Sequence, residues 1–166
     1  MPFSAQKAVL YAIFILFSGA LSAQAMAAPC YTDIEFEADQ GLRIHSELMV
    51  IGLNCQHLGK RYGQNLYGDY RKLTADHADL FAGYERTMME FFKKQGASNP
   101  EAKLNDLRTR YANKISDDAA KMRPDIFCSR YAPRIEQAKA MSRNDLKKWA
   151  ATPFPQHPVS HKACKK

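Results

Sequence analysis

The sequence lacks the short motifs that identify the commonest hydrolases and redox enzymes. It contains no Gly-x-Ser-x-Gly, no His-Glu-x-x-His and no Cys-x-x-Cys. These patterns place a nucleophile on a strained turn, two zinc ligands on one helix face, or two thiols within reach of each other. Because all three are absent, no motif supports a serine hydrolase, a zinc peptidase or a thioredoxin-like oxidoreductase.

Long apolar runs are also scarce, and the one that stands out lies at the N-terminus. It extends from Ala8 to Leu21, follows the positive charge of Lys7 and precedes two Ala-x-Ala patterns, which end at Ala25 and Ala27. A short positive region, an apolar core and a small-residue cleavage site form the pattern of a secretory signal peptide. We therefore predict a signal peptide over residues 1–25, with cleavage after residue 25 or 27.

The same apolar run is a poor match to the two alternatives, a membrane anchor and a lipoprotein signal. It is shorter than the ~20 apolar residues that a spanning helix needs. Cys30 follows Ala28-Pro29, whereas lipoprotein processing normally requires Gly or Ala before the cysteine. The mature chain is therefore predicted not to span a membrane and to be periplasmic or secreted.

Acidic residues are fewer than basic ones, 17 against 24, which gives a formal net charge of +7. Outside the cytoplasm, a basic surface faces anionic lipid headgroups, acidic polysaccharides or acidic proteins. The expected partner is therefore a protein or an anionic component of the envelope, and export makes nucleic acid an unexpected one. The other interpretation is that the basic charge only keeps the protein soluble.

Four cysteines remain after removal of the signal peptide: Cys30, Cys55, Cys128 and Cys164. An even number in an exported chain predicts two disulfides, for which three connectivities exist. Cys55 and Cys128 lie on apolar stripes of predicted helices, so they can face each other in a core. We favour Cys55–Cys128 together with Cys30–Cys164, which would tie the chain ends. Free terminal cysteines would instead permit an intermolecular disulfide.

Apolar residues recur at three- and four-residue steps from about Gly41 onwards, as at Ile44, Leu48 and Ile51, which is the pattern of amphipathic helices. We predict an irregular segment over 26–40, a helical domain over 41–151 and a proline-rich tail over 152–166. The predicted fold is all-α, a small disulfide-stapled helical bundle of four to five helices with irregular termini.

Two short motifs resemble a known group of proteins. The run Glu-Leu-Met-Val precedes Cys55 by a few residues, and the pair Phe127-Cys128 follows late in the chain. Both features are similar to an uncharacterised family of small exported, cysteine-paired helical proteins of Gram-negative bacteria. The resemblance implies a helical fold and a periplasmic location, and it brings no known activity with it.

Histidines and a glutamate supply the candidate chemical sites. His45, Glu47 and His77 could together do acid–base work or hold a ligand, although no spacing fixes their geometry. His157, His161 and Cys164 could form a metal-binding tail, but a cysteine in a disulfide cannot be a thiolate ligand. We therefore assign no catalytic residue, no metal and no cofactor.

Three functions remain open at this point. The favoured one is a periplasmic protein that binds another macromolecule, either chaperone-like or as an envelope accessory. The second is a small envelope hydrolase or ligand-binding protein that uses Glu47, His45 and His77. The third is a secreted factor that acts outside the cell. Enzymatic activity is the less favoured interpretation, and neither the partner nor the oligomeric state follows from the sequence.

Overall fold

The structure is a computed structural model that describes residues 29–58 and 65–164. Within these residues the protein is all-α, and its only β pairing is an isolated parallel bridge between Tyr31 and Ala163. None of the helices in these two ranges combines the length and apolarity needed to cross a bilayer. The predicted signal peptide falls in residues 1–28, outside the described residues.

The first helix, α1, is the central element of the fold and comprises Asp33–Cys55. Thr32 and Glu35 form a capping box at its start: the Thr32 hydroxyl accepts a hydrogen bond from the Glu35 N–H at 3.3 Å, and the Glu35 carboxylate accepts one from the Thr32 N–H at 2.8 Å. The predicted irregular segment over 26–40 is thus wrong from residue 33 onwards. The cap fixes the helix start, while the polar residues of the first turns hide the apolar periodicity.

A 3₁₀ turn, Gln56–Leu58, follows α1. The other helices are α2 (Leu66–Asp76), α3 (Ala78–Lys94), α4 (Pro100–Lys121), α5 (Pro124–Tyr131), α6 (Pro133–Lys139) and α7 (Arg143–Ala151). Their number exceeds the predicted four to five. Pro133 has no N–H to continue the preceding helix and starts a new one, and His77 alone separates α2 from α3.

Helix α1 packs against α2, α3, α4 and α7, so it lies inside a shell of helices. It approaches α3 closely at Gly41, where a Cβ atom would overlap the ring of Tyr84. Leu42, Leu48 and Ile51 of α1 are almost fully buried. The core is therefore built around one helix, and polar residues of that helix must find partners inside the protein.

The two disulfides join Cys55 to Cys128 and Cys30 to Cys164, which is the pairing favoured from the sequence. Cys55–Cys128 connects the end of α1 to α5, with 5.6 Å between the Cα atoms and 73 residues of sequence separation. Closing a loop of that length stabilises the fold by on the order of 4 kcal/mol in the chain-entropy treatment. Cys30–Cys164 ties together the two ends of the described chain.

Candidate functional site

Several polar side chains of α1 are buried, which is unusual for a helix in a small bundle, and Asp39, Gln40, Arg43 and Glu47 lie on one side of the helix. The buried polar side chains of α1 are Glu35, Asp39, Gln40, Arg43, His45, Ser46 and Glu47. Part of this side is covered by residues 152–164, the segment that follows α7 and contains no helix. We call residues 152–164 the strap, and we call the α1 side chains beneath it, Asp39, Gln40, Arg43 and Glu47, the strap face.

Asp39 is the most deeply buried member of the strap face, with no exposed surface. Its carboxylate accepts a hydrogen bond from the Tyr111 hydroxyl at 2.6 Å and another from the main-chain N–H of Ser160 at 3.0 Å. Burial raises the pKa of Asp39 above its usual value, and these two hydrogen bonds act in the opposite direction. The carboxylate thus joins α1 to both α4 and the strap.

Gln40 contacts the strap one residue further along α1. Its side-chain Nε2 donates to the main-chain carbonyl of His157 at 3.0 Å, while its Oε1 accepts from Nε of Arg43 at 2.6 Å. The amide is therefore held from both ends, and its N–H₂ group points to a carbonyl of the strap.

Glu47 forms the charged end of the strap face. Its carboxylate is 2.8 Å from Nη1 of Arg43 and 3.4 Å from Nη1 of Arg134 on α6. Nδ1 of His157 in the strap lies 3.2 Å from the same carboxylate, without the geometry of a hydrogen bond. Burial lowers the pKa of His157, which outweighs the opposite effect of the Glu47 charge. A buried carboxylate with two guanidinium partners is satisfied as an ion pair.

The far end of the strap pairs with the chain just before α1. The Tyr31 N–H donates to the Lys162 carbonyl at 2.8 Å, and the Cys164 N–H donates to the Tyr31 carbonyl at 2.8 Å. The Tyr31 ring is fully buried and packs edge-on against Phe91, and its hydroxyl lies 2.6 Å from the hydroxyl of Ser160. This short parallel bridge lies directly beside the Cys30–Cys164 disulfide.

Most polar contacts to the strap reach its main chain and not its side chains. The main-chain groups contacted are the carbonyls of Gln156, His157 and Lys162 and the N–H groups of Ser160 and Cys164. Every residue except proline carries these groups. Two of these contacts come from the strap face, from Gln40 and Asp39, and they can be made with the main chain of any extended polypeptide.

An apolar cleft completes this site. It has a volume of about 230 Å³ and lies between α1 and the strap, where Phe36 faces Phe154, Pro155, Pro158 and Val159. Prolines and an aromatic ring are rigid groups that lose little conformational entropy when they pack. The cleft adds apolar contact to the main-chain hydrogen bonds.

A second cavity, of about 350 Å³, lies between α1 and α4 and is lined by His45. Nε2 of His45 is 3.1 Å from the Tyr70 hydroxyl and 3.4 Å from the Thr74 hydroxyl. Burial, followed by the nearby positive charge of Arg108, lowers the pKa of His45 to about 4. The imidazole is consequently neutral at physiological pH. Arg108 lines the cavity as well and is paired with Glu85 at 2.9 Å.

The structure does not bring the predicted acid–base residues together. His45 faces Tyr70 and Thr74, whereas Glu47 lies under the strap with Arg43 and Arg134. His77 is partly exposed at the junction of α2 and α3. Two residues of separation on a helix turn side chains to nearly opposite sides, which explains why His45 and Glu47 diverge.

The predicted metal-binding tail is also divided. Cys164 is bonded to Cys30, and His161 packs its ring against Tyr31 and Phe91. His157 lies beside Glu47 instead. In the two described ranges, no group of three or more histidine, cysteine, aspartate or glutamate side chains is placed to hold a metal ion.

Sequence reasoning missed Asp39, Gln40 and Arg43 of the strap face, and it named Glu47 for a different role. Asp39, Arg43 and Glu47 follow one another at intervals of four, which is the spacing of a solvated helix face as much as of a buried one. The signal that could have drawn attention to them is their position directly before the apolar run Leu48-Met49-Val50-Ile51. No protein family, no curated protein and no solved structure matches this chain.

Proposed function

We propose that this is an exported, periplasmic protein that binds an extended segment of another polypeptide at the strap face. The observation that supports the proposal is that these side chains contact main-chain groups. Gln40 binds a main-chain carbonyl of the strap, and Asp39 binds a main-chain N–H. Because these groups are common to all polypeptides, the same side chains can bind a partner segment in place of the strap. This is the macromolecule-binding role expected from the sequence, with the partner specified as an extended chain.

Export is supported by two independent features. The N-terminal sequence has the pattern of a signal peptide, and the described chain contains two disulfides and no free cysteine. Disulfides persist in oxidising compartments such as the bacterial periplasm. Recovery of the protein from a periplasmic extract, with a mass that matches cleavage after residue 25 or 27, tests this part.

The binding role can be tested with a polypeptide that has no fixed fold. Reduced and carboxymethylated lactalbumin is a suitable probe because it stays extended and carries no free thiol, and folded lactalbumin is its control. We expect saturable binding of the unfolded probe only, measured with the Cys30–Cys164 disulfide intact and opened. The variant Gln137→Ala, at an exposed glutamine on α6, should bind as the parent does. If the protein binds the probe neither with the disulfide intact nor with it opened, the proposal is contradicted.

A small-ligand site at His45 is the second candidate, favoured by one observation. The His45 ring lines the 350 Å³ cavity together with Arg108, and its hydrogen bonds to Tyr70 and Thr74 are both made through Nε2. Since Tyr70 can donate to Nε2, the proton is then on Nδ1, which can donate to a carbonyl or carboxylate. Benzoate is a simple probe. Chemical-shift changes at His45 that disappear in His45→Gln would support this site, and unchanged spectra would reject it.

A further inference from the structure

The two disulfides differ sharply in their exposure. Cys55 and Cys128 have no exposed surface, whereas Cys30 and Cys164 are both exposed. Thiol–disulfide exchange requires a thiolate to reach a sulfur atom directly. An external thiol can therefore reach Cys30–Cys164 while the core disulfide is shielded by the fold.

We propose that the Cys30–Cys164 disulfide is a redox-controlled clasp, and that opening it lets an extended segment of a partner polypeptide replace the strap on the strap face. This inference rests on the proposed binding function and adds the control of the same site. The partner is again defined by its chemistry, an extended chain whose carbonyl and N–H groups bind Gln40 and Asp39.

The opening step is an exchange with a dithiol. One thiolate of the dithiol attacks the sulfur of Cys164, a mixed disulfide forms, and Cys30 leaves as a thiolate. The second thiol of the reductant then attacks the mixed disulfide and releases Cys164. Two electrons pass from the dithiol to the protein, the reductant ends as a disulfide, and the two cysteines take up protons from water as thiols.

The clasp is needed because the strap has little structure of its own. Residues 152–164 contain no helix and are held by separate hydrogen bonds from α1, α4 and Tyr31. With the clasp closed, the strap is anchored at both ends, by α7 and by Cys30. With the clasp open, it is anchored at α7 alone, and docking on α1 then costs more conformational entropy.

A vacant strap face would be unfavourable, which is why a replacement segment is expected to bind. Asp39 and Gln40 would lose the N–H of Ser160 and the carbonyl of His157, and polar groups left partly buried without partners are costly. An extended partner restores both hydrogen bonds. The partner must still compete with the tethered strap, whose effective concentration remains high. In the open state, the strap face is therefore bound either by the strap or by the partner segment.

The test compares affinities for carboxymethylated lactalbumin across three forms of the full mature chain. The first has both disulfides intact. The second is treated with a mild dithiol until mass spectrometry shows Cys30 and Cys164 free and Cys55–Cys128 retained. The third is Cys30→Ser/Cys164→Ser, with circular dichroism as the check on its fold. We expect binding at least tenfold tighter in the second and third forms than in the first, with Gln137→Ala leaving the gain intact.

Each other outcome has a defined meaning. Equal, saturable binding in all three forms would overturn the clasp and leave the binding function in place. Absence of binding in all forms would overturn the binding function together with the clasp. Concentration-dependent dimers of the opened chain, seen by light scattering without the probe, would identify a second copy's strap as the occupant and overturn the partner assigned here. If the serine variant does not fold, the mildly reduced wild-type chain gives the same comparison.

Discussion

Asp39 accepts a hydrogen bond at 3.0 Å from the main-chain N–H of Ser160, a residue 121 positions further along the chain. This contact links the second turn of the central helix to the segment that follows the last helix. It also gives the buried carboxylate a main-chain partner in addition to its side-chain partner, the Tyr111 hydroxyl. The C-terminal segment is therefore an integral cover of α1 in this structure, in spite of its prolines.

The exposure of the two disulfides predicts the order in which they are reduced. Limited treatment of the folded protein with a dithiol, followed by alkylation, should label Cys30 and Cys164 well before Cys55 and Cys128, because only the first pair is accessible. Peptide mapping by mass spectrometry measures this order. Simultaneous labelling of all four cysteines would show that reduction follows global unfolding.

The hydrogen bond between Gln40 and the strap predicts a local effect of Gln40→Ala. Loss of a hydrogen bond of this kind costs about 1 kcal/mol, and Nε2 of Gln40 donates to the His157 carbonyl. The open population of the strap should rise about fivefold, and cleavage by trypsin after Lys162 should rise in proportion. The matched variant Gln137→Ala should be cleaved at the wild-type rate. Equal rates for both variants would mean that Gln40 does not hold the strap.

Two glycines on neighbouring helices provide a test of the packing around α1. Gly41→Ala should destabilise the fold by about 1–3 kcal/mol because its Cβ atom would overlap the Tyr84 ring. Gly83→Ala on α3 should be neutral or stabilise by up to about 1 kcal/mol, since the nearest atom is Nη2 of Arg86 at 3.9 Å. Urea unfolding measures both. A harmless Gly41→Ala would show that α1 and α3 are further apart than described.

Burial of His45 predicts a dependence of stability on pH. Its pKa is lowered from 6.5 to about 4, so between these values the unfolded chain binds a proton that the folded chain does not. The free energy of unfolding should therefore fall as the pH decreases through this window. Titration of His45 alone should lower the free energy of unfolding by about 3 kcal/mol between pH 7 and pH 4. In His45→Gln, the free energy of unfolding should fall by about 3 kcal/mol less than in the wild type between pH 7 and pH 4. The same pH dependence in both proteins would argue against a buried neutral imidazole.

Local features of the fold were predictable from the sequence. Asn99 accepts a hydrogen bond from the N–H of Ala102 at the start of α4, and Ser142 accepts one from the N–H of Asp145 at the start of α7; Asn and Ser are among the residues preferred at helix N-caps. The disulfide pairing also followed from local pattern, since Cys55 lies on an apolar stripe. The two caps depend on residues close together in the chain, and the pairing of Cys55 with Cys128 followed from the apolar stripes on which both lie.

The strap face could not be predicted in the same way. Asp39, Arg43 and Glu47 have a spacing that fits a solvated surface equally well, and what buries them is a segment that lies more than a hundred residues later. The prolines of that segment, Pro153, Pro155 and Pro158, indicated an extended chain but not where it docks. Helix periodicity reports which residues share a face, and it does not report what covers that face.

Hydrogen–deuterium exchange of residues 152–164 tests the account most directly. With the Cys30–Cys164 disulfide intact, the amides of Ser160 and Cys164 should be protected, because each donates a hydrogen bond to α1 or to Tyr31. After selective reduction of this disulfide, that protection should fall while the amides of α1 near Leu48 remain protected. A strap that exchanges freely in the oxidised protein, or one that stays equally protected after reduction, would contradict its role as a displaceable cover.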